Sequence, residues 1–98
     1  MKTIVVRYQA KPDRADENQR LIEEVFAELA GGAWQGFTYR VFRLEDGVSF
    51  VHVATEPEDE GAPRLTDVPA FQRFASGVGE RCDVPPVAME ATVIGRFG

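Results

Sequence analysis

The feature that most constrains this chain is a tight turn close to its middle. Asp46-Gly47 lies between two runs of β-prone, largely apolar residues, 37–44 and 48–55. Asp-Gly between such runs is typical of a β-hairpin, because glycine accepts the positive φ angle that the turn requires. Apolar residues occupy both faces of each run, whereas a solvated face would alternate with polar residues. The pattern predicts a hairpin that is covered on both sides.

A strand and a helix are predicted before this hairpin. Residues 3–8 are rich in β-branched side chains, which favour a strand. Apolar side chains then recur at helical spacing over residues 21–29, with charged residues between them. Asp13 is the expected N-cap of this helix, and Gly31 is expected to end it.

A second helix and a last strand are predicted after the hairpin. The helix is expected to begin near Asp67 and to carry an apolar stripe that continues to Cys82. Pro85 and Pro86 are expected to end this region, since proline cannot continue a helix. The apolar run over residues 87–97 then predicts a long final strand.

The resulting order, strand-helix-strand-strand-helix-strand, is that of the ferredoxin-like α+β fold. Right-handed crossovers place both helices on one face of a four-stranded antiparallel sheet. The chain, residues 1–98, has the length of a single domain. The second face of the sheet would be bare although it is apolar, so a homodimer packed sheet to sheet, a dimeric α+β barrel, is expected.

Charge and cysteine content narrow the functional classes. The net charge of −5 disfavours nucleic acid and anionic membranes, both of which attract basic surfaces. A lone cysteine, Cys82, cannot form an intrachain disulfide and is expected to be a buried, inert thiol. No apolar run is long enough for a signal peptide or a membrane span, which predicts a cytoplasmic protein. The acidic stretch 56–60 is expected to be a solvated loop.

Four segments of the chain resemble the antibiotic biosynthesis monooxygenase-like domains. They are VVRY at 5–8, KPDRADEN at 11–18, SFVHV at 49–53 and PAFQ at 69–72. The resemblance covers nearly the whole chain and implies a dimeric α+β barrel with a pocket between sheet and helices. Some members oxidise aromatic polyketides with oxygen and no metal or flavin, and others degrade haem. It therefore implies a cofactor-independent monooxygenase acting on a small aromatic or quinol-type molecule.

The functional residues of that family have few counterparts here. The haem-degrading branch uses an Asn on the first strand and a His on the second helix. This chain has no Asn in residues 3–8, and its one histidine, His52, lies in the third strand. A non-catalytic homodimer that binds a small molecule, or serves as an accessory protein, is therefore the alternative. A third possibility is a structural subunit whose barrel is filled by its own side chains.

His52 is the first candidate for chemistry, because it lies in an otherwise apolar strand. It is suited to act as a general base or a hydrogen-bond donor. The alternative is a core histidine with one hydrogen-bond partner, or a histidine at the dimer face. Arg7 and Tyr39 would orient an anionic or phenolate oxygen if they point into the same cavity. Sequence does not determine strand register, so this convergence is a hypothesis. The alternative for these two residues is ion pairing with acidic residues of the partner subunit.

Aromatic side chains are the candidates for ligand contact. Trp34 and Phe37 flank a loop and would stack on a flat ligand, or else pack at the helix–strand junction. Phe50 and Phe71 complete the predicted ligand-binding set. Asn18 lies among charged residues and is expected to face solvent. With one His, one Cys and no phosphate-binding glycine loop, no metal or cofactor is expected.

Overall fold

The fold is taken from a computed structural model that describes all residues from Met1 to Gly98. Its six main elements are β1 (Lys2–Ala10), α1 (Ala15–Gly31), β2 (Thr38–Arg43), β3 (Ser49–Glu56), α2 (Pro69–Ser76) and β4 (Cys82–Ala91). The strands form one antiparallel sheet in the order β2-β3-β1-β4. The predicted ferredoxin-like α+β fold is confirmed. Neither helix has the length and apolar character that crossing a membrane requires.

The core lies between the helices and one face of the sheet. Alternate residues of β1 and β3 point toward the helices, so Tyr8 and Phe50 are buried while Arg7 is exposed. The ten buried apolar residues are Tyr8, Ala10, Ala15, Ile22, Val25, Phe50, Leu65, Val68, Ala70 and Phe74. The two central strands and both helices therefore contribute to a single core.

Helix α1 has the predicted amphipathic pattern but a different first turn. Its N-cap is Arg14, which makes no side-chain capping bond, so the expectation for Asp13 is wrong. A turn closed by the Arg14 amide and the Lys11 carbonyl, 2.9 Å apart, places Asp13 one residue too early to cap. The acidic residues of the first turn still interact favourably with the helix dipole. Gly31 is the last helical residue, close to the expected end.

Helix α2 is shorter than the apolar stripe predicts. It begins at Pro69, after a short 3₁₀ turn over Leu65–Asp67, and it ends at Ser76. The stripe was expected to continue to Cys82, but a second 3₁₀ turn over Gly79–Arg81 intervenes. The glycines at 77 and 79 lower helix propensity by about 1 kcal/mol each relative to alanine, which accounts for the early end.

Strand β4 corrects the predicted role of the two prolines. The strand begins at Cys82 and runs through Pro85 and Pro86, instead of starting after them. It is an edge strand, and its pairing with β1 shifts register at the prolines, so their missing N–H groups interrupt no regular ladder. It ends at Ala91, and residues 92–98 have no regular structure.

The sheet face away from the helices carries exposed apolar side chains and is uncovered in the single chain. Strand pairing aligns Phe42, Val51, Arg7 and Val87 across the four strands on this outer face. Phe42 and Val87 are 45% and 44% exposed, and Met89 is 63% exposed. The two-sided apolar pattern of the sequence therefore corresponds to one core face and one open apolar face.

The hairpin turn allows a direct test of whether the positive φ angle at Gly47 requires glycine. Gly47 has a φ of 79°, and a Cβ built there would meet no atom within 4 Å. We expect Gly47→Ala to lower the free energy of unfolding by about 1–2 kcal/mol through backbone strain alone. Gly47→Asn is the control, because asparagine tolerates positive φ, and it should lose much less in urea denaturation. Equal losses in the two variants would contradict the explanation.

Candidate functional site

A cavity of about 330 Å³ lies between the helix-facing side of the sheet and α2. It is lined by Ile4, Val6, Tyr8, Tyr39, His52, Ala54, Glu56, Leu65, Thr66, Phe71, Phe74, Ala75, Val78 and Pro86. Its size and its largely apolar lining are those of small-molecule sites. This open volume argues against a barrel that is filled entirely by its own side chains.

His52 stands in the wall of this cavity with both ring nitrogens engaged. Its side chain points inward from the middle of β3, and the residue is 5% exposed. Nδ1 lies 2.7 Å from the hydroxyl of Tyr39, and Nε2 lies 2.7 Å from the hydroxyl of Tyr8. Register explains the convergence: each tyrosine is two residues from the residue directly opposite His52, so the side chains meet diagonally on one face.

Burial determines the charge state of these three groups. It lowers the pKa of His52 to about 4, because the charged imidazolium is poorly solvated there. Burial also raises the pKa of both tyrosine hydroxyls, Tyr8 and Tyr39, well above its usual range. All three side chains are therefore neutral near pH 7. A base with a pKa this low accepts protons weakly, so the hydrogen-bonding role predicted for His52 fits the site better than the general-base role.

The hydrogen bonds continue from Tyr8 into the protein interior. The Asn18 side-chain amide donates to the Tyr8 hydroxyl at 2.8 Å, and its carbonyl accepts from Nε of Arg81 at 3.1 Å. We call the connected side chains of Arg81, Asn18, Tyr8, His52 and Tyr39 the buried network. No buried side-chain nitrogen or oxygen atom lacks a hydrogen-bond partner.

Arg81 is an unusual member of the buried network. It is 3% exposed, and none of the ion pairs includes it. One of its terminal nitrogens donates to the carbonyl of Phe74 at 2.8 Å, and the guanidinium carbon lies 5.2 Å from the Phe74 ring centroid. A backbone carbonyl, an amide oxygen and an aromatic face thus replace the carboxylate that a buried cation usually has.

Aromatic rings hold the two tyrosines in place. Tyr8 stacks on Phe50 with ring centroids 5.5 Å apart, and Tyr39 stacks on Phe26 at 5.1 Å. Phe71 meets the Tyr39 ring edge-on at 6.0 Å. Both offset-stacked and edge-on pairs are favourable arrangements, so the hydroxyl positions are defined by packing as well as by hydrogen bonds.

Glu56 is the one carboxylate in the cavity wall. It follows His52 by four residues on the same face of β3, which separates their Cα atoms by about 13 Å in an extended strand. One of its oxygens accepts the backbone N–H of Leu65 at 2.9 Å. Its negative charge is thus far from the imidazole. No three His, Cys, Asp or Glu side chains lie close enough together to hold a metal ion.

The structure brings together only part of the predicted catalytic set. His52 and Tyr39 share a hydrogen bond at the cavity wall. Arg7 pairs with Val51 and is exposed on the outer face, so it does not meet the condition of pointing into the same cavity. The physical reason is strand alternation: Tyr8 points inward, so its neighbour must point outward.

Only one of the four aromatic residues predicted to contact a ligand lines the cavity. Phe71 lines the cavity, whereas Phe50 is buried and stacks on the Tyr8 ring. Trp34 and Phe37 are partly buried against the core, and neither lines the cavity. Packing at the helix–strand junction, the alternative considered for these two residues, describes their position.

Three members of the buried network are absent from the predicted site residues. The expectation that Asn18 faces solvent is wrong, because it is 0% exposed. Its position was detectable: residues 18, 22 and 25 share one helix face, so a polar residue continues the apolar stripe. Tyr8 and Ala10 lie two residues apart in β1 and therefore share the inward face. Two residues of one strand indicate burial less clearly than the helical stripe does. Arg81 lies in a 3₁₀ turn and has no periodic pattern to reveal it.

Comparison with known proteins supports the fold. No family model and no curated protein matches the chain. Among solved structures, an antibiotic biosynthesis monooxygenase superposes with a TM-score of 0.76 at 13% identity, covering 97% of this chain and 100% of that one. Rv0793 from Mycobacterium tuberculosis gives 0.75 at 15% identity, with 99% and 98% covered.

A third similar structure carries a more specific description. A variant of SnoaB, a cofactor-independent oxygenase from Streptomyces nogalater, superposes with a TM-score of 0.69 at 18% identity, covering 98% of this chain and 95% of that one. At these low identities, it is the TM-scores that establish a common fold. The chain therefore has the α+β architecture found in structures described as an antibiotic biosynthesis monooxygenase and as a cofactor-independent oxygenase.

The low pKa of His52 predicts how stability depends on pH. An unfolded histidine takes up a proton below its ordinary pKa of about 6.5, whereas the folded one stays neutral down to about 4. Stability is thus fully present above pH 6.5 and falls as the pH drops from 6.5 to 4. The loss attributable to this residue should be on the order of 3 kcal/mol.

His52→Gln is the control, because it removes the titration and leaves the carboxylates unchanged. The difference between the two free-energy profiles, from urea denaturation at each pH, should change over pH 6.5–4 and be flat above pH 7. A constant difference through that range would show that burial does not depress this pKa.

Proposed function

We propose that this protein is a cofactor-independent monooxygenase that acts on a small, flat aromatic of the quinol or anthrone type. The observation that carries the proposal is His52 held between Tyr8 and Tyr39 in the wall of an apolar cavity. The cavity lies in the fold of a known cofactor-independent oxygenase. Fold likeness alone is a weak guide to function, and the chemistry of the site carries the proposal.

The site is suited to stabilise an ionised aromatic substrate. Its apolar walls would exclude water from a bound ring and hold it against Phe71 and Phe74. The hydroxyl of Tyr39, supported by His52, can donate a hydrogen bond to a phenolate or enolate oxygen of that ring. Hydrogen bonding to the charged form lowers the substrate's own pKa, so the ring can lose its proton to bulk water as it binds, without a strong protein base.

The reaction balances with the substrate as the reductant. For an anthrone, a ring CH₂ becomes C=O while O₂ gives one atom to the carbonyl and the other to water. The two hydrogens lost from carbon appear in that water, and the carbon supplies all four electrons. The protein's part is to orient the ring, keep it dry and stabilise its anion.

Oxygen consumption tests the proposal directly. We expect uptake with at least one member of a panel of anthrones and hydroquinones, and one labelled oxygen atom in the product when ¹⁸O₂ is supplied. Tyr39→Phe should lower the rate by roughly 10²-fold, as expected for the loss of one oxyanion donor. Arg20→Gln, at an exposed position on α1, is the matched surface control and should keep the full rate.

Uptake no faster than without protein would reject this function. Equal rates in Tyr39→Phe and the native chain would reject the role given to Tyr39.

The second candidate is a non-catalytic homodimer that binds an apolar molecule. It is favoured by the neutral state of His52, Tyr8 and Tyr39, none of which is a strong base. Tight binding of an aromatic that is recovered chemically unchanged would support that alternative.

We also propose that two copies pack through the outer face of the sheet. The support is the open apolar surface that includes Phe42, Val87 and Met89. Exposed apolar surface of this kind is typical of protein–protein interfaces. A second copy presenting the same face around a two-fold axis would cover both surfaces at once.

Native mass spectrometry tests this assembly. The native chain should be dimeric at micromolar concentration, and Met89→Lys should shift it toward monomer by placing an unpaired charge in the interface. Ala27→Lys adds the same charge at an exposed position of α1 and should leave the dimer intact. A native chain that is monomeric throughout this range would overturn the proposed assembly.

A further inference from the structure

The hydrogen bonds of the buried network run in one direction, and Arg81 determines which. A guanidinium can only donate hydrogen bonds. The atom of Asn18 that faces Nε of Arg81 at 3.1 Å must therefore be the carbonyl oxygen. This leaves the NH₂ group of Asn18 to donate to the Tyr8 hydroxyl oxygen at 2.8 Å.

The direction of hydrogen-bond donation continues from Tyr8 to His52. The Tyr8 hydroxyl has only two partners, Asn18 and Nε2 of His52. Because Asn18 donates to it, the Tyr8 hydrogen is satisfied only if it is given to Nε2. A neutral imidazole carries one hydrogen, which must then be on Nδ1, and Nδ1–H donates to the oxygen of Tyr39.

The network ends at Tyr39 with a hydrogen that no protein group accepts. The one hydrogen bond of the Tyr39 hydroxyl is with Nδ1 of His52, which donates to it. The residue lines the cavity and is half-buried. In the reverse direction the Tyr8 hydrogen would face the Asn18 NH₂ group with no acceptor, and a buried unsatisfied donor is unfavourable.

We propose that Arg81 and Asn18 are positioning residues that hold His52 as its Nδ1–H tautomer, so that Tyr39 presents a hydrogen-bond donor to the ligand. The inference deepens the proposed function and rests on it in taking this cavity as the ligand site. It defines the ligand class as a flat, apolar molecule with a carbonyl or phenolate oxygen. A ligand whose only polar group is a donor would meet another donor at Tyr39.

The tautomer can be measured without any ligand. His52 is the only histidine, so ¹⁵N-labelled histidine reports this residue alone in NMR spectra. We expect the hydrogen on Nδ1 in the native protein. A hydrogen on Nε2, or an equal mixture of the two tautomers, would overturn the inference.

Asn18→Asp should reverse the network with almost no change of shape. A carboxylate accepts from both neighbours, so it would pair with Arg81 and accept the hydrogen of Tyr8. The Tyr8 oxygen would then accept from Nε2–H, and Tyr39 would donate to Nδ1. An Nε2–H tautomer is expected in this variant, and an unchanged tautomer in a folded variant would contradict the role given to Asn18.

Ligand pairs that differ at one group measure what the cavity prefers. The ratio of 1-tetralone to tetralin affinity should fall about tenfold in Tyr39→Phe and in Asn18→Asp, relative to the native chain. Each ratio is compared with the native ratio, so the difference between the two compounds in free energy of transfer from water cancels. The ratio of indole to indene affinity should rise in Asn18→Asp, because only acceptor lone pairs would then face the cavity.

These outcomes separate the inference from the proposed function. If oxygen uptake is absent while the tautomer and the affinity ratios behave as stated, only the oxygenase proposal fails. If oxygen is consumed but the ratios do not change, or 1-tetralone does not bind, this inference fails alone. The native tautomer remains decisive even if a variant does not fold.

Discussion

The burial of one imidazole is the constraint on which the site depends. His52 lies in the central region of the sheet, where each ring nitrogen needs a partner and charge is disfavoured. Two tyrosines from the neighbouring strands supply those partners at 2.7 Å each. Since the imidazole must remain neutral, His52 interacts with Tyr8 and Tyr39 through hydrogen bonds and not as a charged group.

The same constraint extends through the helix layer. Tyr8 needs Asn18 on α1, and Asn18 needs Arg81 in the turn before β4. Side-chain hydrogen bonds thus connect β1, α1 and the turn before β4 inside an apolar core. Every buried polar atom of this network has a hydrogen-bond partner, and this favours a single arrangement, because breaking any one link leaves a buried polar group unpaired.

Expectations from sequence were reliable where a pattern repeats and unreliable where a position stands alone. The hairpin around Gly47 and the amphipathic helix α1 follow from local rules and were predicted. The prolines at 85 and 86 lie inside a strand that the sequence does not predict, because an edge strand tolerates them and strand order is a property of the whole sheet. The polar and charged neighbours of Asn18 indicate solvent exposure, although its position on the helix places it on the buried face.

By itself, the sequence determined the element order, the ferredoxin-like architecture and the apolar character of both sheet faces, because periodicity and turn chemistry act over a few residues. Only the tertiary structure decided which polar residues meet. Strand register separates Arg7 from His52 and brings Tyr8 and Tyr39 to it. A shift of one residue would have exchanged those roles, since side chains alternate between faces with a period of two.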